Sequence, residues 1–155
     1  MKIATLCFPV EGDKVYLSLK KRSFGAGFLL GYGGKMGEDD KTVEDAAVRE
    51  FSEESGAVTI PESLEKVAVV DFFEEDKQLF ECHVFFVRKW EGELVETEEM
   101  AAPELHPFND LPYDRMWKGD IRWLPLIFSG EKIHAKVTYA KEMNEVKDFS
   151  YEPLS

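Results

Sequence analysis

The 155-residue sequence is short of cysteine, histidine and basic residues, and it has no long apolar run. No stretch approaches the roughly 20 apolar residues that cross a bilayer, so no membrane association is expected. The opening MKIATLCFPVEGDK has no extended apolar core followed by small residues, so it does not read as a secretory leader. The only cysteines, Cys7 and Cys82, sit in strand-like apolar runs and lack metal-ligand spacing. Buried free thiols in a reducing, cytoplasmic compartment are expected. His83, His106 and His134 are scattered, and His83 within a strand suits a packed or hydrogen-bonded role better than a catalytic one. With 19 Lys and Arg against 31 Asp and Glu, the net charge of −12 excludes the broad basic footprint that nucleic-acid binding requires. Phosphate-loop signatures are also missing. Gly34-Lys35 is followed by Met36, and Gly25-x-Gly27 lacks the strand–turn–helix context of a dinucleotide fingerprint. Ser23 and Ser55 have no nucleophile-elbow context.

No repeat, low-complexity tract or linker interrupts the chain, whose length suits one domain over residues 1–155. Ile3 to Val10 is apolar and strand-like. Val15, Leu17 and Leu19 alternate with polar neighbours, and Glu11-Gly12-Asp13 between the two predicts a hairpin. A glycine-dense segment spans Gly25 to Gly37, followed by a helix over about Val43 to Ser55. Strands are expected over Val67 to Phe73, Leu79 to Trp90 and Ile133 to Tyr139, with a second helix over Asp120 to Phe128 and another strand possible in the tail. Strands interleaved with two helices give an α/β or α+β domain. Trp90 and Trp123 are assigned to structure.

The first helix carries the anomaly. Thr42-Val-Glu-Asp is a capping-box-like start, and Gly56 supplies the left-handed residue that ends many helices. Val43, Ala46, Ala47 and Phe51 fall on one face, and a helical wheel puts Glu50 and Glu54 inside that apolar arc, with Glu53 at its edge beside Arg49. Two carboxylates about 4 Å apart at an effective dielectric near 20 repel by roughly 4 kcal/mol. Negative charge in the last turn also opposes the helix dipole. A cluster of glutamates is most often a solvated face. This one points inward, and a hard divalent cation would resolve its repulsion by sharing carboxylate and phosphate oxygens.

Gly34 to Ala57, GKMGEDDKTVEDAAVREFSEESGA, resembles the box of the Nudix hydrolase family, G-x5-E-x7-R-E-U-x-E-E-x-G-U with U apolar. Arg49, Glu50, Phe51, Glu53, Glu54, Gly56 and Ala57 match position by position. The first half carries one extra residue around Gly37 to Lys41, so the first Glu of the pattern falls on Lys41 or on Asp40. Lys20-Lys-Arg-Ser-Phe24-Gly-Ala-Gly, Gly31-Tyr32-Gly33-Gly34-Lys35 and Asp114-Arg-Met-Trp117-Lys-Gly-Asp120-Ile-Arg-Trp123 are similar to the MutT-type branch, especially its oxidised-purine nucleoside triphosphatases.

The resemblance implies an α/β/α sandwich around a central mixed β-sheet. It also implies hydrolysis of a nucleoside triphosphate, such as 8-oxo-dGTP or 2-hydroxy-dATP, to the monophosphate and pyrophosphate by metal-activated water. Mg²⁺, with Mn²⁺ as a substitute, would be held by Glu50, Glu53, Glu54, the Gly33 carbonyl and Glu99, with Arg49 fixing the glutamates. Glu53 and Glu99 are the candidate general bases. Lys20 and Lys35, next to Gly34, would face the phosphates. Thr5, Phe24, Tyr32, Phe72, Phe80, Trp117 and Asp120 would surround the base, and Leu30 replaces an Asn that contacts the purine in that branch. Gly119 replaces the first of two aspartates. The partner is thus a small nucleotide, and the protein is expected to be monomeric. Read from the residues alone, Trp117 belongs to the core. The same chemistry on another nucleoside diphosphate derivative or ordinary dNTPs stays open, as does a non-catalytic nucleotide-binding module.

Overall fold

A computed structural model describes residues 1–155. Nine strands and two helices follow in the order β1 (Lys2–Glu11), β2 (Lys14–Leu19), β3 (Leu29–Leu30), β4 (Tyr32–Lys35), α1 (Val43–Ser55), β5 (Leu64–Glu74), β6 (Lys77–Val87), β7 (Glu104–Pro107), α2 (Asp120–Phe128), β8 (Ile133–Tyr139) and β9 (Val146–Pro153). The sheet runs β3-β2-β1-β6-β5-β8-β9, with β4 added to β1 and β7 to β2. It is mixed. β1–β6 and β5–β8 are parallel, and the remaining pairs are antiparallel.

Alternation along the strands sorts side chains to two faces. On one, Phe8, Val70, Val84, Phe86 and Ala135 pack with Trp123, Leu124, Ile127 and Phe128 of α2. On the other, Cys7, Phe85 and Val87 meet Ala47 and Phe51 of α1. A helix therefore covers each face, the α/β/α sandwich expected from the sequence. Both thiols are buried and free, and burial pushes them well above the ordinary thiol range.

One detail of the sheet positions the site. β1 shares a single edge between two partners: Ala4 to Cys7 pair with β4, and Val10 and Glu11 pair with β2. The chain between β2 and β3, Lys21 to Phe28, leaves the sheet and forms one wall of a cleft. Three residues lie at positive φ there, Ser23, Gly25 and Gly27.

Candidate active site

The helix α1 is built as its sequence indicates. Thr42 caps it, its Oγ1 accepting from Asp45 N at 3.0 Å, and Gly56 ends it at φ 80° while donating to the Ser52 carbonyl. Packing of Ala47 and Phe51 on the sheet turns the 50–54 edge toward β4. Glu54 is only 3% exposed. Its Oε1 accepts from Gly33 N at 3.0 Å and its Oε2 from Lys20 Nζ at 2.8 Å. Burial raises the Glu54 carboxyl above its ordinary range, while Lys20 and the Gly33 amide oppose that rise. Glu53, one residue earlier, keeps a side chain 58% exposed.

Arg49 organises this edge. It donates to Glu50 Oε1 at 2.8 Å and makes longer contacts of 3.3 and 3.4 Å with Glu53. It also grips Asp40 through two bonds, Nε to Oδ1 at 3.0 Å and Nη2 to Oδ2 at 2.7 Å. Such paired bonds fix orientation as well as position. The Arg49 guanidinium, with the Gly37 amide, holds the Asp40 carboxyl below the usual range. Asp40, not Lys41, therefore takes the place of the first acid of the box, and the extra residue follows it.

The glycines are required by close approach. A Cβ on Gly33 would lie 1.8 Å from the Thr5 carbonyl oxygen, and one on Gly34 would lie 2.4 Å from Glu50 Oε2. Glu99 completes the acidic rim from the far side. Arg22 holds its Oε1 at 2.7 Å and lowers its pKa, and Lys20 stands 3.8 Å from its Oε2.

These groups open into one cavity of about 530 Å³. Thr5, Lys20, Phe24, Leu30, Gly33, Gly34, Lys35, Glu50, Glu53, Glu54, Phe72, Phe80, Glu99, Trp117 and Asp120, all candidates from the sequence, line it together. Acid and glycine lie at one end and aromatic side chains at the other. Trp117 stacks with two rings, Phe28 at 4.2 Å and Phe24 at 5.3 Å between centroids. Phe24 lies on the cavity side and is 55% exposed. At the closed end, Asp120 begins α2. Burial pushes its carboxyl up to about 7, and the nearby Trp123 indole and the Trp117 backbone offset only part of that.

Two expectations need correction. Tyr32 is not in the cavity. Its pairing with Cys7 turns it under α1, where it meets Phe51 edge-on at 5.9 Å and its hydroxyl shares a 2.5 Å bond with Ser18. The Lys20 ammonium is engaged by Glu54 instead of standing free for phosphates. Trp123 is core, as expected, but it also lines the cavity beside Asp120. Sequence reasoning also passed over Phe8, Cys82 and Met143 in the lining and Arg22 at the rim. Arg22 could have been found as a third base next to Lys20; the others give no sequence signal.

The model of the NUDIX domain matches residues 2–127. The oxidized purine nucleoside triphosphate hydrolase of Danio rerio is 37% identical over 132 residues, covering 84% of this chain and 82% of that protein. Its namesake in Mus musculus is 36% identical with the same coverage. Among solved structures, a MutT protein from Bacillus halodurans superposes with a TM-score of 0.81 at 20% identity, covering 100% of both chains, which speaks for the fold alone.

Proposed function

The chain belongs to the NUDIX family, and from that premise we propose that it hydrolyses an oxidised purine nucleoside triphosphate to the monophosphate and pyrophosphate. The carrying observation is the shared cavity, which is lined both by the acidic edge of α1 and by aromatic side chains with Asp120. The two relatives named for this activity support the same substrate class. The whole chain, residues 1–155, would act as one catalytic domain. Two buried free thiols suit a cytoplasmic setting, and no helix is long and apolar enough to cross a membrane.

A divalent metal, generally needed by Nudix hydrolases, fits the residues present. Glu50, Glu53, Glu54, Glu99 and the Gly33 carbonyl form an all-oxygen donor set, which suits Mg²⁺ or Mn²⁺. Glu54 is a carboxylate sunk in the cavity wall, and Gly34 leaves the Glu50 carboxylate open where a side chain would cover it. No three of the carboxylates stand close enough together to form a preassembled cage. Mg²⁺ held there would neutralise phosphate charge and lower the pKa of a bound water.

The remaining work falls to the chain itself. Arg49, anchored by Asp40, keeps Glu50 and Glu53 in place, and such positioning carries much of phosphoryl-transfer catalysis. Glu53 accepts the proton of the attacking water at a carboxylate oxygen. Arg22 stabilises the charged form of the rival Glu99 and so weakens Glu99 as a proton acceptor. Lys35, exposed at the rim, meets the phosphates as a point charge. Phe24, stacked on Trp117 and exposed to the cavity, offers the base a flat face, and Asp120 meets its polar edge.

A nucleotide panel with Mg²⁺ tests the proposal, using 8-oxo-dGTP, 2-hydroxy-dATP, dGTP, dATP, dCTP and a nucleotide sugar, each scored for pyrophosphate and phosphate. Oxidised purines should lead their unmodified parents by at least about tenfold in kcat/KM, roughly 1.4 kcal/mol. A lead for the nucleotide sugar, or binding without turnover, would overturn it.

A further inference from the structure

Trp123 holds a buried polar group without a full hydrogen bond. The residue is 1% exposed, and its indole Nε1–H makes no hydrogen bond of ordinary length, standing only near the Asp120 carboxyl. Buried donors left short of a partner are uncommon in native folds. Phe8 packs against the ring at 6.5 Å and Phe72 meets it edge-on at 6.3 Å, and α2 fixes its backbone. Trp123 follows Asp120 by three residues on α2, so the two side chains project to one side of the helix and both line the closed end of the cavity. Around them Phe8, Leu30, Phe72 and Cys82 offer no strong hydrogen-bonding group. Asp120 apart, the other polar groups nearby have partners of their own. The Tyr139 hydroxyl accepts from Gly119 N at 2.9 Å, and Thr5 Oγ1 leans on the Gly34 carbonyl. Gly119 cannot carry a side chain that would serve instead, since a Cβ would lie 2.5 Å from the Tyr139 hydroxyl.

Resting on the proposed triphosphatase activity, we infer that Trp123 is a specificity-determining residue whose indole N–H donates to the C6 carbonyl oxygen of an oxopurine while Asp120 accepts from the adjacent N1–H. A lactam edge, C=O beside N–H, presents one acceptor and one donor side by side, and Trp123 with Asp120 presents the complement. The carbonyl oxygen of a carboxyl accepts in either protonation state, so Asp120 fills its part whether or not it is ionised. A site that buries a donor for a substrate carbonyl discriminates strongly, because a base without that acceptor leaves the donor unpaired.

Coupling between protein and substrate tests this. Wild type and Trp123→Phe are assayed with dGTP and 6-thio-dGTP, whose sulfur accepts hydrogen bonds weakly. Wild type should favour the oxygen substrate by about tenfold in kcat/KM, and the variant should lose at least fivefold of that preference. Equal preference in the two proteins would overturn the inference, because the oxygen would then be read elsewhere. Should Trp123→Phe fail to fold, the wild-type comparison still decides, since turnover of the two nucleotides at equal rates refutes it. If wild type hydrolyses neither dGTP nor any other purine triphosphate, the triphosphatase reading itself fails, an outcome distinct from the loss of oxygen-over-sulfur selectivity.

Discussion

Replacing Asp120 with Asn should stabilise the protein in a pH-dependent way. Unfolded, the Asp120 carboxyl titrates near the ordinary Asp value of about 3.9. Folded, burial pushes it up to about 7. The native state therefore binds this proton more tightly than the unfolded chain. The stability it contributes is fully present below pH of about 4 and is lost as pH rises through about 7. Three units at about 1.4 kcal/mol each bound the loss at about 4 kcal/mol, and local relaxation lowers this to about 2–4 kcal/mol. The amide keeps the shape without the charge, so the variant escapes the loss. Urea unfolding of both proteins at pH 4.5 and pH 8 measures the difference, and contributions from every other titrating group cancel between them. The variant's advantage over wild type should grow by about 2–4 kcal/mol from the lower pH to the higher. A difference that stays constant, or shrinks toward pH 8, would refute the burial argument.

Lys20→Met strips the cation from buried Glu54 and should cost about 3 kcal/mol in metal-free buffer. Mg²⁺ should then raise the variant's Tm more than that of wild type, by binding linkage; equal shifts in thermal melts with and without chelator would count against Glu54 as a metal ligand. The adjacent glycines should part company. Gly33→Ala drives a Cβ into the Thr5 backbone and should destabilise β1–β4 pairing by more than about 3 kcal/mol, whereas Gly34→Ala meets only the movable end of Glu50 and should lower kcat at least tenfold with a stability change below about 1 kcal/mol. Chemical denaturation and steady-state kinetics on the pair check both halves.

Local signals made α1 and its inward glutamates legible. The Thr42 cap, the Gly56 stop and the periodicity of Ala47 and Phe51 all point the same way, and the structure places the helix at Val43–Ser55 as expected. The second helix and β8 also lie where the sequence puts them. Elsewhere non-local contacts decide. β4 is glycine-rich, and Gly33 is selected by the Thr5 carbonyl lying against it, not by strand propensity. β7 is four residues long and ends in Pro107, so no alternation announces it. Tyr32 was misplaced because its facing depends on pairing with Cys7, which the glycine-dense run does not disclose. Asp40 could be identified only once Arg49 showed which acid it grips. Trp123 reads as core in sequence because nothing there shows that it lines the cavity beside Asp120.

Pyrophosphate release from 8-oxo-dGTP, measured with Mg²⁺ and with excess chelator for wild type and Glu53→Gln, tests the central claim most directly. Wild type should release pyrophosphate and 8-oxo-dGMP only with the metal, and Glu53→Gln should lose at least a hundredfold in kcat while unfolding at the same denaturant concentration. Turnover that survives the chelator, orthophosphate as the first product, or full activity in Glu53→Gln would contradict it.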